Sequence, residues 1–402
     1  MKDWRKYTAQ EFCLNVTDGT HDSPKPTEVG HYLITSKHLQ NNAIDFSSAY
    51  KISEGDYQKV IKRSAVVQHD ILFSMIGTIG NIVRVKDPII DYAVKNMAIF
   101  KMGSDELKSK WLYYWLKSSK AKEYISSRLA GSTQSYLTLE TLRNFPVFAP
   151  SENEVQKIVS ILSSIDDKIE LNRQINDNLE EQAQALYKSW FVDFEPFKDS
   201  DFVESDLGLI PKGWSTGSIY KYVNVIYGAP YKSTLFNENK EGYPLIRIRD
   251  LKTFSPQFYT TEVLPQTEYI KSGDVVAGMD AEFIPCLWQG ETGVLNQRCC
   301  KFVGKDKEIN NLFVLHLVKP ELEYVQSYKT GTTVSHLGKA DIDRFIVILP
   351  DEAIVHQFSK ICRPLLDEQN KCAVEIRRLT NLRDALLPKL MSGELKINDL
   401  DC

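Results

Sequence analysis

Two long stretches of the chain place apolar residues at alternating steps of three and four positions. The first stretch begins at Val155 and the second at Val355, 200 residues further along the chain. A heptad spacing of this kind predicts a long helix whose apolar seam packs against another helix. The polar residues within the two seams are Asn172, Asn176, Gln369 and Arg383. The apolar positions that we assign to the two helices are Val155, Ile158, Leu162, Ile165, Ile169, Leu179, Leu186, Phe358, Leu365, Ile376, Leu379 and Leu386.

The two predicted helices either pack separately on their own domains or pair with each other. A duplicated unit of one domain and one helix closes as a pseudo-two-fold pair, and a two-fold axis perpendicular to the helices makes them antiparallel. We therefore favour a pair of long antiparallel helices. Pro364 lies within the second stretch, where it either kinks the helix or occupies its first turn.

The regions outside these helices are typical of an α/β fold of the mixed α+β kind. β-rich runs such as AVVQHDILFSMIG and KSGDVVAGM are broken by glycine and aspartate turns. Residues 107–129 have a helical pattern, with aromatic residues clustered on part of it. Arg247 and Arg249 alternate along a predicted strand, which places both side chains on one face.

One passage of the sequence occurs twice. GSTQSYLTLETLRNFPVFAP at 131–150 returns as GTTVSHLGKADIDRFIVILP at 331–350, with Gly, Thr, Ser, Leu, Phe, Val and Pro in register. NVTDG resembles NVIYG, HDILFSMIG resembles GDVVAGMDA, and Asn96 lies 200 residues before Asn296. An internal repeat of this extent indicates a duplicated domain. We predict domains at 1–150 and 201–350, with helical segments at 151–200 and 351–402.

The composition is that of a globular protein, with 43% hydrophobic and 25% charged residues. No apolar run approaches the roughly 18 residues of a membrane helix, and MKDWRKYTAQ lacks the apolar core of a signal peptide. Seven cysteines occur without a C-x-x-C motif, which favours reduced thiols over a zinc site or a disulfide framework. These features predict a cytoplasmic protein.

The charge is unevenly distributed along the chain. Residues 1–150 contain 20 Lys and Arg against 15 Asp and Glu, a net charge of +5, whereas the whole chain has a net charge of −4. A protein that binds nucleic acid alone usually has a clearly basic domain. Only the first domain approaches this condition, so binding to nucleic acid would require a partner that contributes positive charge.

The ends of the two helical segments carry the most specific motifs. ALYKSWFVDFEPF at 185–197, ESDLGLIPKGW at 204–214 and LRDALLPKLMSGELKI at 382–397 resemble the central and C-terminal shared regions of the DNA-specificity subunits of type I restriction–modification systems. The resemblance covers nearly the whole chain. It implies two target recognition domains separated by two long antiparallel coiled-coil helices, related by a pseudo-two-fold internal repeat.

The same resemblance implies a function. Each recognition domain is expected to recognise one half of a bipartite asymmetric site in double-stranded DNA, and the paired helices are expected to set the spacer between the halves. Two methyltransferase subunits are expected to dock on the helices, and restriction/translocase subunits to join them. S-adenosylmethionine, ATP and Mg are expected in those partners, so this chain is expected to carry neither cofactor nor metal.

The sequence lacks the motifs of a catalytic subunit. It contains no Pro-Pro, and hence no Asn/Asp-Pro-Pro-aromatic loop of an amino-methyltransferase, and no G-x-x-x-x-G-K-[ST] phosphate loop. Two alternatives to a non-catalytic subunit make different predictions. A stand-alone DNA modification enzyme would methylate DNA without partners, whereas a coiled-coil scaffold would not bind DNA even with the methyltransferase present.

Candidate DNA contacts are loop residues with hydrogen-bond donors. Arginine can donate two hydrogen bonds to guanine, Asn and Gln can bond adenine, and hydroxyls suit phosphate. The alternative for the two repeated turns is a helix N-cap. For Arg247 and Arg249 it is a surface ion pair with Asp250, and for Lys95, Asn96, Gln297 and Arg298 it is a solvated position. The candidates are Ser74, Thr78, Asn81, Lys95, Asn96, Ser132, Thr133, Gln134, Ser135, Arg247, Arg249, Gln297, Arg298, Thr332, Thr333, Ser335 and His336.

Overall fold

A computed structural model describes residues 4–40, 42–130, 135–329 and 335–396. The chain divides into two compact units, one formed by 1–167 together with 380–402 and the other by 168–379. Each long helix therefore contributes one part to each unit. Within the described ranges, no helix is both long enough and apolar enough to cross a membrane.

The strands of the first unit are β1 (Arg5–Thr8), β2 (Asn15–Asp18), β3 (His31–Ile34), β4 (Leu39–Gln40), β5 (Ala43–Ile44), β6 (Lys51–Ile52), β7 (Ile71–Ser74), β8 (Ile82–Arg84), β9 (Tyr92–Val94), β10 (Met97–Lys101) and β11 (Pro146–Ala149). They include a four-stranded antiparallel sheet with the order β2-β10-β7-β8. Beside it lies the sheet β6-β3-β9, in which β3 and β9 run parallel, and β1 pairs with β11. The helices are α1 (Ala9–Phe12), α2 (Glu54–Ser64), α3 (Glu106–Lys117), α4 (Ser119–Ser126), α5 (Leu139–Arg143) and the first part of α6 (Glu152–Phe191).

Strand β7 is buried on both faces, which explains its continuous apolar sequence. Ile71 and Phe73 pack into a core that includes Trp111 of α3, whereas Leu72 packs into a second core with Ile99 on the opposite face. Alternate residues of a strand point to opposite faces, so a strand between two cores needs apolar residues at every position.

The second unit repeats this arrangement. Its strands are β12 (Phe202–Ser205), β13 (Gly208–Pro211), β14 (Ser215–Ser218), β15 (Val223–Tyr227), β16 (Phe236–Asn237), β17 (Tyr243–Ile246), β18 (Tyr259–Thr260), β19 (Tyr269–Ile270), β20 (Val275–Gly278), β21 (Cys286–Leu287), β22 (Gly293–Leu295), β23 (Cys299–Gly304) and β24 (Ile346–Leu349). The sheet β15-β23-β20-β21 corresponds to β2-β10-β7-β8, the parallel pair β17–β22 corresponds to β3–β9, and β14–β24 corresponds to β1–β11. The helices are α7 (Asn311–Lys329), α8 (Lys339–Ile342) and α9 (Glu352–Ser392), joined by the end of α6. The predicted duplication of a mixed α/β domain is confirmed.

The predicted heptad seam is present in both long helices. All twelve predicted apolar seam residues are buried or partly buried. In the second unit, Asn172 Nδ2 donates to Glu375 at 2.8 Å, and Gln369 Nε2 donates to Glu180 at 3.4 Å. Residue numbers rise along α6 as they fall along α9, so the two segments are antiparallel in this unit.

The structure adds detail to two predictions about helices. Residues 107–129 are largely helical as predicted but form two helices, because Ser118 is extended and its hydroxyl accepts a hydrogen bond from the amide of Ala121, which starts α4. Pro364 lies well inside α9, which begins at Glu352, so it does not occupy the first turn.

Candidate nucleic-acid interface

In the first unit, several polar loops meet at one end of the sheet β2-β10-β7-β8. The end of β2 at Asp18 lies beside the start of β10, because Asp18 pairs with Ala98. The end of β7 lies there too, because Ser74 pairs with Met97. The turn between β7 and β8 and the corner before β10 are therefore neighbours, and we call this region the loop end of the first domain.

The described part of the first repeated turn reaches the same place. Tyr136 forms an antiparallel bridge with Ile76, and the amide of Leu137 donates to the carbonyl of Met75 at 3.0 Å. Ser135, one of the candidates, is exposed beside this bridge.

The turn between β7 and β8 contains three candidates with different surroundings. Ser74 is buried; its hydroxyl donates to the carbonyl of Thr78 at 2.5 Å and accepts from the amide of Asn81 at 2.8 Å. The Asn81 side chain donates to the carbonyl of Leu39 at 2.8 Å. These contacts place Ser74 and Asn81 in the internal support of the turn and leave Thr78 exposed.

The corner before β10 carries an exposed polar network. His21 contacts the Asn96 side-chain oxygen at 2.9 Å through Nδ1 and Asp18 at 2.8 Å through Nε2. Arg63 donates to Asp18 at 3.1 Å, and the amine of Lys95 contacts Ser23. His21 and Arg63 were not predicted, because no spacing in the sequence relates them to Asn96.

A cavity of about 670 Å³ lies between the β7–β8 turn and α4. Its lining includes Asn81, Lys117 and Lys122. Burial lowers the pKa of Lys117 to about 8, and its amine donates to the Tyr113 hydroxyl at 2.6 Å. The cavity adds two basic side chains next to the loop end of the first domain.

The loop end of the second domain is built on the same frame. Cys299 pairs with Gly278 at the end of β20, and Cys300 pairs with Tyr227 at the end of β15. His336 bridges Asp280, as Tyr136 bridges Ile76, and the amide of Leu337 donates to the carbonyl of Met279 at 2.7 Å.

A charged cluster occupies this second loop end. Arg298 Nη1 lies 3.1 Å from one oxygen of Asp280, and His336 Nδ1 lies 2.6 Å from the other. The sequence suggested Arg298 and His336, and the structure brings them together. Asp280 was missed, although matching HDILFSMIG with GDVVAGMDA already aligns it with Ile76.

The backbone pairing corrects one sequence match by a single residue. Lys95 bridges Thr20 as Asn296 bridges Ala229, and the amides of Asn96 and Gln297 donate to those same two partners. Asn96 is therefore equivalent to the exposed Gln297 rather than to Asn296.

Arg298 is an extra residue of the second domain. The amide of Gly19 donates to Met97 at 2.9 Å, and that of Gly228 donates to Cys299 at 3.1 Å. Met97 directly follows Asn96, whereas Arg298 stands between Gln297 and Cys299. The first domain therefore has no equivalent of Arg298.

Arg247 and Arg249 do not share a strand as predicted. Strand β17 ends at Ile246, and residues 248–251 form a 3₁₀ helix that carries Arg249 on the surface. Arg247 lies over the Phe258 ring at 4.3 Å, and its Nε is 3.4 Å from Asp250. The alternative of an ion pair with Asp250 is the arrangement observed, although Asp250 is buried and its pKa is raised by that burial.

The remaining candidates lie in the repeated turns. Ser132, Thr133, Gln134, Thr332 and Thr333 lie outside the described residues. The alternative N-cap role is not that of Ser135 or Ser335, because Thr138 and Gly338 are the N-caps of α5 and α8. The Ser335 hydroxyl donates to the carbonyl of Lys329 at 2.6 Å.

One group of possible metal ligands lies at the opposite end of β23. Asp306, Glu352 and His356 place ligand atoms within 4.8 Å of one another. His356 Nε2 lies 3.2 Å from Asp306, so an exposed ion pair already accounts for the grouping.

A family model for the type I restriction modification DNA specificity domain matches residues 1–181 and 211–376. The chain belongs to this family. The two matched segments each contain one copy of the four-stranded sheet, in agreement with the duplicated frame.

Two relatives extend over most of the chain. The type I restriction enzyme MjaIX specificity subunit of Methanocaldococcus jannaschii is 28% identical, and the match covers 82% of this chain and 78% of that subunit. The HindI specificity subunit of Haemophilus influenzae is 24% identical, and the match covers 98% of this chain and 100% of that subunit. A solved structure, the S subunit of a type I restriction–modification system from M. genitalium, shares the fold with a TM-score of 0.50 at 15% identity, over 96% of both chains.

Proposed function

We propose that this chain is the sequence-specific DNA-binding subunit of a type I restriction–modification complex. The loop end of each domain contacts one half of a bipartite asymmetric site in double-stranded DNA. The chain itself is non-catalytic, and methylation is carried out by partner subunits.

The observation that carries this proposal is the pair of equivalent loop ends with different side chains. Hydrogen-bond donors gather at the same end of the same sheet in both domains, including the exposed Thr78 and the half-buried Asn96 in the first and the exposed Gln297 and Arg298 in the second. Amide, hydroxyl and guanidinium donors are the groups that bond base edges and phosphates. Two similar sheets whose loops carry different side chains suit the recognition of two different half-sites.

The charge supports a need for partners. DNA binding depends strongly on the neutralisation of phosphates by basic residues, yet the chain has a net charge of −4. Two methyltransferase subunits would dock on the α6–α9 pair and supply the missing positive charge. S-adenosylmethionine, ATP and Mg would be bound by these and by the restriction/translocase subunits.

The first experiment combines the chain with its methyltransferase partner and sequences the methylated sites. Replacing residues 1–150 with the corresponding domain of a related chain should change one half-site and leave the other unchanged. A change in both halves, or methylation by the purified chain without partners, would contradict the proposal.

The role of the helices is tested by matched insertions of seven residues after Asn172 and Cys372. Seven residues preserve the heptad seam and add ~10 Å of helix, which corresponds to about three base pairs at ~3.4 Å each. Both half-sites should remain unchanged while the preferred spacer lengthens, as measured with duplexes of varied spacer length. An active variant with the original spacer would show that the helices do not set it; four-residue insertions serve as the control because they break the seam.

A further inference from the structure

We propose that Arg298 recognises a guanine in the half-site of the second domain, and that Asp280 positions its guanidinium for this contact. The inference rests on the proposed function and assigns a base to one side chain.

The position of Arg298 is suited to a base contact. It is the extra residue at the corner before β23, so the loop extends further here than in the first domain. Its side chain is 56% exposed. The ion pair with Asp280 occupies Nη1, and no described residue bonds to Nε or Nη2. Guanine offers O6 and N7 in the major groove, and a guanidinium can donate to both at once.

Asp280 is held in place from both sides. One oxygen meets Arg298 and the other meets His336, while the backbone of residue 280 bridges that of His336. The Asp280 side chain is only 23% exposed. A fixed carboxylate restricts the arginine rotamers, which reduces the conformational entropy lost on binding.

The same carboxylate favours a base over a phosphate as the partner of Arg298. Arg298 and Asp280 carry opposite charges, so this ion pair has no net charge. A phosphate approaching Arg298 would be repelled by Asp280 at short range, whereas guanine O6 and N7 carry only partial negative charge. Specificity through hydrogen-bond geometry is therefore favoured over general attraction to the DNA backbone.

The first domain provides an internal contrast. Ile76 and Tyr136 occupy the positions of Asp280 and His336, and Arg298 has no counterpart. The effect of changing Arg298 must therefore be confined to the half-site of the second domain.

The experiment uses the full chain with its methyltransferase subunits and a duplex library in which each base of both half-sites is varied. Arg298→Ala should reduce discrimination at one guanine by about 10- to 100-fold, the range of one bidentate contact. Arg298→Lys retains the charge without the planar fork and should also lose this discrimination. Asp280→Asn should relax the same position to a smaller extent, whereas a purely structural defect would lower methylation at all positions together.

Lys307→Ala is the matched control, because it removes one exposed positive charge beyond the opposite end of β23. It should leave discrimination unchanged. If Arg298→Ala abolishes methylation, DNA binding by the complex is measured instead. The duplexes then carry 7-deazaguanine in place of one guanine at a time. Loss of N7 at one position should weaken the unmodified complex and not the variant.

Three results would overturn the inference. An equal loss at every position in Arg298→Ala that Arg298→Lys restores would indicate a phosphate contact, and an equal loss at every position in both variants would indicate a structural role. A change in the half-site of the first domain would contradict the assignment to one domain. Failure of the unmodified complex to methylate any bipartite site would instead refute the proposed function.

Discussion

The loop ends of the two domains lie at the same place on the same sheet, yet their chemistry differs. The first carries Ile76 beside Tyr136 and an exposed network of His21, Asp18 and Asn96. The second carries Asp280 between Arg298 and His336. The strands below are buried on both faces and must remain apolar, whereas the turns have no such packing constraint. The shared fold can therefore carry different contact residues in the turns of each domain.

The largest effect is expected from equivalent core residues. Phe100 and Phe302 are both fully buried and pair with Val16 and Val225 in matching positions. Substitution of either by alanine should lower the free energy of unfolding of its own unit by about 3–5 kcal/mol. Hydrogen-exchange mass spectrometry can follow the two units separately, with the exposed Lys86→Ala as control. Strongly unequal losses would show that the two frames are not equivalent.

The two domains should differ in their response to pH. Burial lowers the pKa of His316 to about 4, so the unfolded state binds the extra proton and the second unit loses up to ~3 kcal/mol as the pH falls from about 6.5 to 4. His31 is the opposite case: Glu54 above all, together with Asp91, raises its pKa, so its contribution is full below pH ~6.5 and is lost as the pH rises through the raised value.

Stability measured against pH for His316→Gln and His31→Gln checks these signs. The first variant should not show the loss of stability on acidification that the unmodified second unit shows. The second should differ most from the unmodified chain at low pH. A difference that does not vary with pH would contradict either assignment.

A smaller effect is expected from the glycine at the corner of each sheet. A Cβ on Gly19 would lie 2.3 Å from the carbonyl oxygen of Val94, and one on Gly228 would lie 2.1 Å from that of Asn296. Either alanine substitution should destabilise its own unit by about 1–3 kcal/mol, as measured by denaturant unfolding. Gly80→Ala at the surface turn isolates the cost of backbone conformation, since Gly80, unlike Gly19 and Gly228, has a φ of +90° and a Cβ there would meet no atom within 4 Å.

The smallest effects are expected in the turn between β7 and β8, where Ser74 supports the turn and Thr78 is the proposed DNA contact. Ser74→Ala removes two internal hydrogen bonds and should cost about 1–3 kcal/mol. Thr78→Ala should change stability by less than about 0.5 kcal/mol while weakening DNA binding by the complex through the first half-site only. Equal destabilisation by both substitutions would show that Thr78 also supports the turn.

The long-range pattern was predictable from the sequence, while local geometry often was not. The heptad seams and the repeated passages identified both helices and both domains, because burial imposes a period over many residues. Side-chain capping by Ser118 divides the predicted helical stretch at 107–129 into two helices, which the apolar pattern did not indicate. Asp280 lies beside Arg298 and His336 because the backbone pairs turns that are distant in the sequence.

The residue-by-residue correspondence between the two domains could not be predicted from the sequence either. A constant offset of 200 matched Asn96 with Asn296, but the extra Arg298 moves the true equivalent to Gln297. Arg249 departed from the predicted strand because the backbone turns into a 3₁₀ helix directly after β17. Hydrogen bonds between elements, rather than residue types, decide such details.

The division of α9 between the two units has a consequence for the synthesis of the chain. The core of the first unit includes Leu387, Leu390 and Met391, packed in one cluster with Ile158 and Leu162. A ribosome completes the domain at 1–150 long before it makes these residues. The core of the first unit therefore remains incomplete until the end of α9 has been synthesised, whereas the second unit is complete at residue 379. A premature stop just after that point would leave the later-made unit intact and the earlier-made one exposed to chaperones and proteases.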